Sequence, residues 1–251
     1  MTYIFALHPL LMLALFIGVG LLSYVVAFSF LAYFGRGQPG NTAAVPVPNF
    51  AATITTTWAL AMGFTAAEIW SVNAHAKAAS AEERSAIARL GGIAAPDLLG
   101  NAQMVETITA YQHAVQQYEL DPKGERPAAE VDAIIENLRA AIFEMAHNPV
   151  PDSIMYKITM DFDQLQDARG ARLAIGNAPV SDYKWYLVIF LTLLSQIALA
   201  AVHADRRQGG QRALAIFTVA ATFSIWLLAL HAHPYVGISA ISIFSIVSNS
   251  F

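Results

Sequence analysis

Residues 50–72 read FAATITTTWALAMGFTAAEIWSV, with Glu68 as the only charge. An α-helix needs roughly 20 mainly apolar residues to cross the hydrocarbon of a bilayer, and this stretch is long enough. Working outward toward the N-terminus, no charged residue occurs from Met1 to Gly35, and the run from Pro9 to Phe34 exceeds the same length. It has no basic n-region and no small-x-small cleavage site, so it reads as a retained span rather than a removable signal peptide. The Gly/Pro-containing segment from Arg36 to Asn49 cannot continue a helix and joins the two spans into a hairpin. Toward the C-terminus, apolar runs from about Trp185 to His203 and from Ala213 to Ala232 flank a short loop carrying Asp205, Arg206, Arg207 and Arg212. Backbone polar groups must be satisfied internally in lipid, so all four runs are expected to be helices.

Composition agrees. Of the 251 residues 56% are hydrophobic and only 13% charged, about half the charged share of an ordinary soluble domain. Cysteine is absent, which excludes disulfides, thiolate metal sites and a thiol nucleophile. The polar part is acidic: residues 73–182 hold nine Lys/Arg and sixteen Asp/Glu, a net −7 that leaves +3 for the rest. Nucleic acid is therefore a poor partner. No Gly-rich phosphate loop, nucleophile elbow, zinc-protease helix or carboxylate dyad occurs, so neither an enzyme nor a cofactor is expected.

The expected fold is all-α, an integral membrane protein with four transmembrane helices and an amphipathic helical insert between the second and third. Its parts are a first hairpin (1–72), an acidic insert (73–182), a second hairpin (183–233) and an apolar, Ser-rich tail (234–251). Within the insert, apolar residues recur every three or four positions in three sets. These are Val105, Ile108, Tyr111, Val115 and Tyr118; Val131, Ile135, Leu138, Ile142 and Met145; and Ile154, Ile158, Phe162 and Leu165. Asp121-Pro122-Lys123-Gly124 and Asn148-Pro149-Val150-Pro151 punctuate them. Ser80 with Glu83 has the spacing of a capping box, which predicts a helix start near the membrane exit. With four spans, both termini and the insert share one side. The basic short loops at Arg36 and at Arg206, Arg207 and Arg212 lean toward a cytoplasmic position, with the insert periplasmic.

Steps of four and three along the second span place Thr53, Thr57, Ala61, Phe64 and Glu68, then Ser71 and His75, on one face. Two readings stay open. The face lines a pore, with hydroxyls replacing hydration and Phe64 as a constriction that gates by dewetting. Otherwise it makes ordinary interhelical hydrogen bonds, with Glu68 reaching headgroups or a basic partner. Thr192, Gln196 and His203 on the third span, and Thr218 and Thr222 on the fourth, are read as packing glue. Arg169 and Arg172 have no carboxylate three or four residues away. They are expected to bridge Glu82 or Glu83, or alternatively to form an electropositive vestibule that concentrates anions. No metal is expected; Glu68, His75, His231 and His233 share one membrane side and are the only candidate ligands, against histidines that satisfy backbone carbonyls. After Pro234, Ser239, Ser242, Ser245 and Ser248 recur every third residue among Ile and Val. That pattern fits an interfacial helix, a strand against a neighbouring subunit or a serine-faced plug.

Four stretches, in this order and spacing, resemble the bestrophin-like domain family of mostly bacterial membrane proteins. They are Trp58 through Trp70 with the Ala/Glu-rich helix after it; Tyr111, Val115 and Glu119; Asp167-Ala168-Arg169 with Arg172-Leu173 leading to Pro179; and Pro234-Tyr235-Val236-Gly237. The resemblance covers roughly Phe50 to Ser242. It implies kinship with bestrophins, pentameric anion channels whose second span lines the pore and carries a hydrophobic neck, a role that falls to Phe64. Bestrophins follow a Pro-Phe-Gly element with an acidic calcium-binding cluster, whereas Ile238, Ser239 and Ala240 follow Gly237, so calcium gating is not implied. Bestrophins also keep their soluble part cytosolic, against the short-loop charge. Taken together, these readings lead to an oligomeric, passive anion channel of the bacterial inner membrane built around the second span, with the lipid bilayer, further copies of the chain and an inorganic anion as partners. A non-conducting scaffold or accessory subunit of a larger membrane complex, docking through the insert, is the alternative.

Overall fold

Pro9 opens the first helix, α1 (Pro9–Phe34), at the position where a missing N–H costs nothing, and His8 Nδ1 accepts from the Leu10 N–H at 3.4 Å. The computed structural model describes residues 7–36, 46, 48–120, 127–147, 150–177, 181–235 and 241. Among them every regular element is helical: α2 (Pro48–Ala94), α3 (Ala102–Ala114) with a π-helical turn (Val115–Glu119), α4 (Ala129–Met145), α5 (Asp152–Asn177), α6 (Asp182–Val202) and α7 (Arg207–Leu230). Four helices are long and apolar enough to cross a membrane: α1, α2, α6 and α7. The serine-spaced tail lies outside the described residues, as do Asp121 to Gly124, Asn148 and Pro149.

The chain divides into two compact units, 1–71 with 180–233 and 72–179 with 234–251. The first contains α1, the start of α2, α6 and α7. Helix α1 buries only Met12, Gly20, Ala27 and Leu31, and leaves Leu10, Leu11, Leu21, Leu22 and Val25 exposed. That exterior far exceeds the apolar patches water tolerates and matches a hydrocarbon surround. Inside, Met12, Met62, Ile69, Trp185, Val188 and Ile225 form a core. Polar side chains pin the helices together. Trp58 Nε1 donates to Thr192 Oγ1 at 2.9 Å, and Gln196 Nε2 donates to Ser23 Oγ at 3.1 Å and Thr218 Oγ1 at 2.8 Å. A Cβ at Gly20 would collide with Thr222 Oγ1, so glycine is what lets α1 and α7 approach.

The second unit holds the remainder of α2, then α3, α4 and α5, around Leu90, Met104, Tyr111, Val131, Leu138, Ile158 and Leu165. The capping box expected at Ser80 and Glu83 is not there: α2 runs unbroken through both. Ser80 Oγ donates to the Ala76 carbonyl four residues back at 2.8 Å, and both side chains are buried. The alanine-rich sequence from Thr65 to Leu90 contains no Gly or Pro and gives a helix no reason to stop. Gly100, at φ +60°, makes the left-handed turn after α2, and Asn101 Oδ1 caps α3 by accepting from the Met104 N–H at 3.0 Å. The seam of α3 also differs from its periodicity. Met104, Ile108, Tyr111 and Val115 are buried, whereas Val105 is only half-buried and Tyr118 is exposed. The π-helical turn adds a residue to its last turn, and Glu119 faces inward in place of Tyr118.

Candidate functional site

The start of α2 presents two different faces. Ala51, Met62, Thr65 and Ile69 are buried, and Met62 and Ile69 pack into the core with Met12 and Trp185. Thr53, Thr57, Ala61, Phe64 and Glu68 are centred roughly 120° around the helix from them, at about 100° per residue. Thr53, Thr57 and Phe64 are exposed, Phe64 at 73%, while Ala61 and Glu68 are half-buried. Among the described residues, α6 reaches this edge at Glu68 through Lys184, while Thr53, Thr57 and Phe64 stand uncovered. Thr53 Oγ1 donates to the Asn49 carbonyl and Thr57 Oγ1 to the Thr53 carbonyl, both at 3.0 Å, bonds within their own helix. Ser71 and His75, which continue the stripe, are exposed as well.

Glu68 meets a cation at the lower end of this edge. Lys184 Nζ, from the first turn of α6, donates to Glu68 Oε2 in a tight ion pair, with side-chain exposures of 27% and 31%. The sequence left Glu68 with headgroups or an unspecified basic partner and did not single out Lys184. The signal was present: Glu68 is the only charge between Phe50 and Val72, and Lys184 the only one between Tyr183 and Ala204.

Arg169 and Arg172 belong to a buried network in the second unit. Arg172 Nε donates to Glu83 Oε2 at 2.6 Å and its Nη2 to Glu119 Oε2 at 2.7 Å. Arg169 Nε donates to Glu119 Oε1 at 3.1 Å, its Nη2 makes a shorter bond to the same oxygen, and Nη2 also bridges Asp132 Oδ1 at 2.8 Å. Tyr111 Oη donates to Glu83 Oε1 at 2.7 Å. Two guanidinium groups thus face two buried carboxylates. The Arg172–Glu83 bridge is the salt-bridge alternative expected for these arginines. Of the partners expected for the arginines, Glu83 is used, whereas Glu119 and Tyr111 were not foreseen as partners. Burial pushes the Glu119 carboxyl up, but the hydrogen bonds from Arg169 and Arg172 outweigh it and hold it below the ordinary carboxylate value. Burial, followed by the charge of Glu83, holds the Tyr111 phenol well above its usual value. A second cluster, missed in the sequence, joins buried Asp161 Oδ1 to Arg89 Nε at 2.7 Å and Lys157 Nζ at 3.2 Å. The four-residue spacing of Lys157 and Asp161 was its only local trace.

The histidines do not assemble a metal site. Among the described residues no group of three or more His, Asp or Glu could hold an ion, so Glu68, His75, His231 and His233 are not brought together as ligands. His231 Nδ1 lies 3.0 Å from the Leu227 carbonyl of its own helix, and His203 Nδ1 lies 2.9 Å from that of Leu199. Burial holds the His233 imidazole below its ordinary value.

The family model of the Bestrophin-like domain matches residues 8–243. The chain belongs to the Bestrophin-like domain family. Its fold is similar to crystal structures of two single-substitution variants of a bacterial bestrophin homologue from Klebsiella pneumoniae. One is 13% identical with a TM-score of 0.69, over 92% of this chain and 94% of that one. The other is 14% identical with a TM-score of 0.69, over 92% of each chain. A variant of a crystallised membrane protein matches at 14% identity and a TM-score of 0.68, again over 92% of each. None of the curated proteins matches the chain in sequence. The arginine network is built to hold helices.

Proposed function

We propose that copies of this chain assemble around α2 in the bacterial inner membrane and conduct small inorganic anions passively. The observation that carries this reading is the one-sidedness of α2, whose edge of Thr53, Thr57 and Phe64, with half-buried Ala61 and Glu68, is left open while the face of Ala51, Met62, Thr65 and Ile69 is packed. An uncovered edge with hydroxyls and a carboxylate is poorly suited to lipid, where each polar group costs free energy. Placed around a central axis, it is wetted by a water column, and Phe64 forms the narrowest apolar ring. Membership of the Bestrophin-like family and a fold shared with bacterial bestrophin homologues support the assignment by analogy. Lys184 supports it further, because an unpaired Glu68 would repel anions. The basic loop at Arg206, Arg207 and Arg212 favours a periplasmic insert.

Planar-bilayer recording from purified oligomer tests the proposal. Chloride current from the native protein, increased in Phe64→Ala as the apolar ring widens, is the expected result. A scaffold role is the second reading, favoured by exposed Phe143, Tyr156 and Met160 on the insert. Silent bilayers from an intact oligomer, or a particle that is monomeric or dimeric without a central axis, would establish it in place of conduction.

A further inference from the structure

Each of the two charges at the end of the α2 edge is placed against local physics. Glu68 is the single charge of its apolar run. Lys184 immediately precedes the third apolar run and sits in the first turn of α6, where the helix dipole disfavours a cation; Asp182, two residues earlier, is the residue type that suits such a turn. Violations of local rules that compensate one another mark places where function, rather than folding, sets the sequence. The two side chains compensate each other across α2 and α6 and stay about one-third accessible, so the pair is in reach of passing ions.

We propose that the Glu68–Lys184 pair is the charge-selectivity element of the conduction path. This inference rests on the pore reading above and adds what discriminates anions from cations within it. Rings of carboxylates select cations and rings of ammonium groups select anions. In an assembly with α2 at the axis, every copy contributes one carboxylate and one ammonium group at the same level. The native ring is neutral, and selectivity is left to whichever partner lies nearer the ions. Removing Lys184 leaves a ring of uncompensated carboxylates; removing Glu68 leaves a ring of ammonium groups. The two single substitutions therefore act in opposite directions on selectivity, although they remove the same contact. A pair that only clamps α2 to α6 would weaken the fold equally from either side and leave selectivity alone.

The experiment is a reversal-potential measurement across a potassium chloride gradient for the native protein, Lys184→Met, Glu68→Gln and the double variant, each first shown to elute as the native oligomer. The expected result is a chloride-to-potassium permeability ratio that falls in Lys184→Met and rises in Glu68→Gln, the two singles differing by roughly tenfold or more, with the double variant back near the native value. The exchanged variant Glu68→Lys with Lys184→Glu restores the pair and guards against misfolding of either single. Conducting variants whose reversal potentials all match the native one would overturn the selectivity role while leaving the pore in place. A native protein that carries no current would overturn the pore reading, and this inference with it.

Discussion

Arg172 is the residue on which the second unit most depends. At 2% exposure it bridges Glu83 and Glu119, two carboxylates with no other access to water. Breaking a buried pair by removing one partner costs about 3–5 kcal/mol, because the remaining charge is left without compensation. Arg172→Met is thus expected to lower unfolding stability by about 3–5 kcal/mol in denaturant titrations followed by circular dichroism. Tyr111→Phe, which removes one hydrogen bond to a charged group, is expected to cost only about 1.5–3 kcal/mol. The pH dependence has a definite sign. Glu119 titrates lower in the folded protein than in the unfolded chain, so its contribution is full above the ordinary carboxylate range. That contribution is lost as pH falls through the depressed folded value. An acid melting series should therefore show native protein losing stability steeply at low pH and Glu119→Gln, already destabilised, losing less. The sequence disclosed that Arg169 and Arg172 needed distant partners, because neither has a carboxylate one helical turn away. It did not disclose Glu119 as that partner, because Glu119 lies 50 residues from Arg169 in sequence and a carboxylate that follows Tyr111 and Val115 on a buried face leaves no mark in hydropathy.

At the scale of elements, the spans were legible because length and apolarity alone decide them: the four apolar runs fall within α1, α2, α6 and α7, apart from an overrun of at most two residues at the C-terminal ends of α6 and α7. The start of the insert was not. Ser80 and Glu83 carry the spacing of a cap, yet a capping box requires non-helical backbone at its first residue, and the alanine-rich run holds that backbone helical. Gln196 shows how the span helices hold one another. Ser23 and Thr218 each donate their hydroxyl proton to a carbonyl of their own helix, at 2.8 and 2.7 Å, so both oxygens need a donor and the amide supplies two. Interhelical polar bonds of this kind contribute roughly 0.6–2 kcal/mol in membranes. Gln196→Leu is expected to lower the thermal midpoint in detergent by a few degrees. Gly20→Leu should lower it much further, since a side chain there meets Thr222 and forces α1 from α7. Equal midpoints for the two variants would remove the close approach of α1 and α7 as a determinant of the fold.

For the whole molecule, the question is what lies against the open edge of α2. Water and a neighbouring copy give opposite chemical behaviour to the same positions. The absence of native cysteine allows them to be separated one residue at a time. The measurement is a single-cysteine scan from Ala51 to Ile69 in assembled protein in bilayers, with current recorded during addition of a charged, membrane-impermeant methanethiosulfonate. Thiolates form and react where water reaches them and stay inert in lipid or in a packed core. If α2 lines a conducting path, cysteines at Thr53, Thr57, Ala61 and Phe64 will react and alter the current with a three-to-four-residue period, while those at Ala51, Met62, Thr65 and Ile69 stay silent. Uniform silence along both faces, in an oligomer of native size, would contradict the central claim.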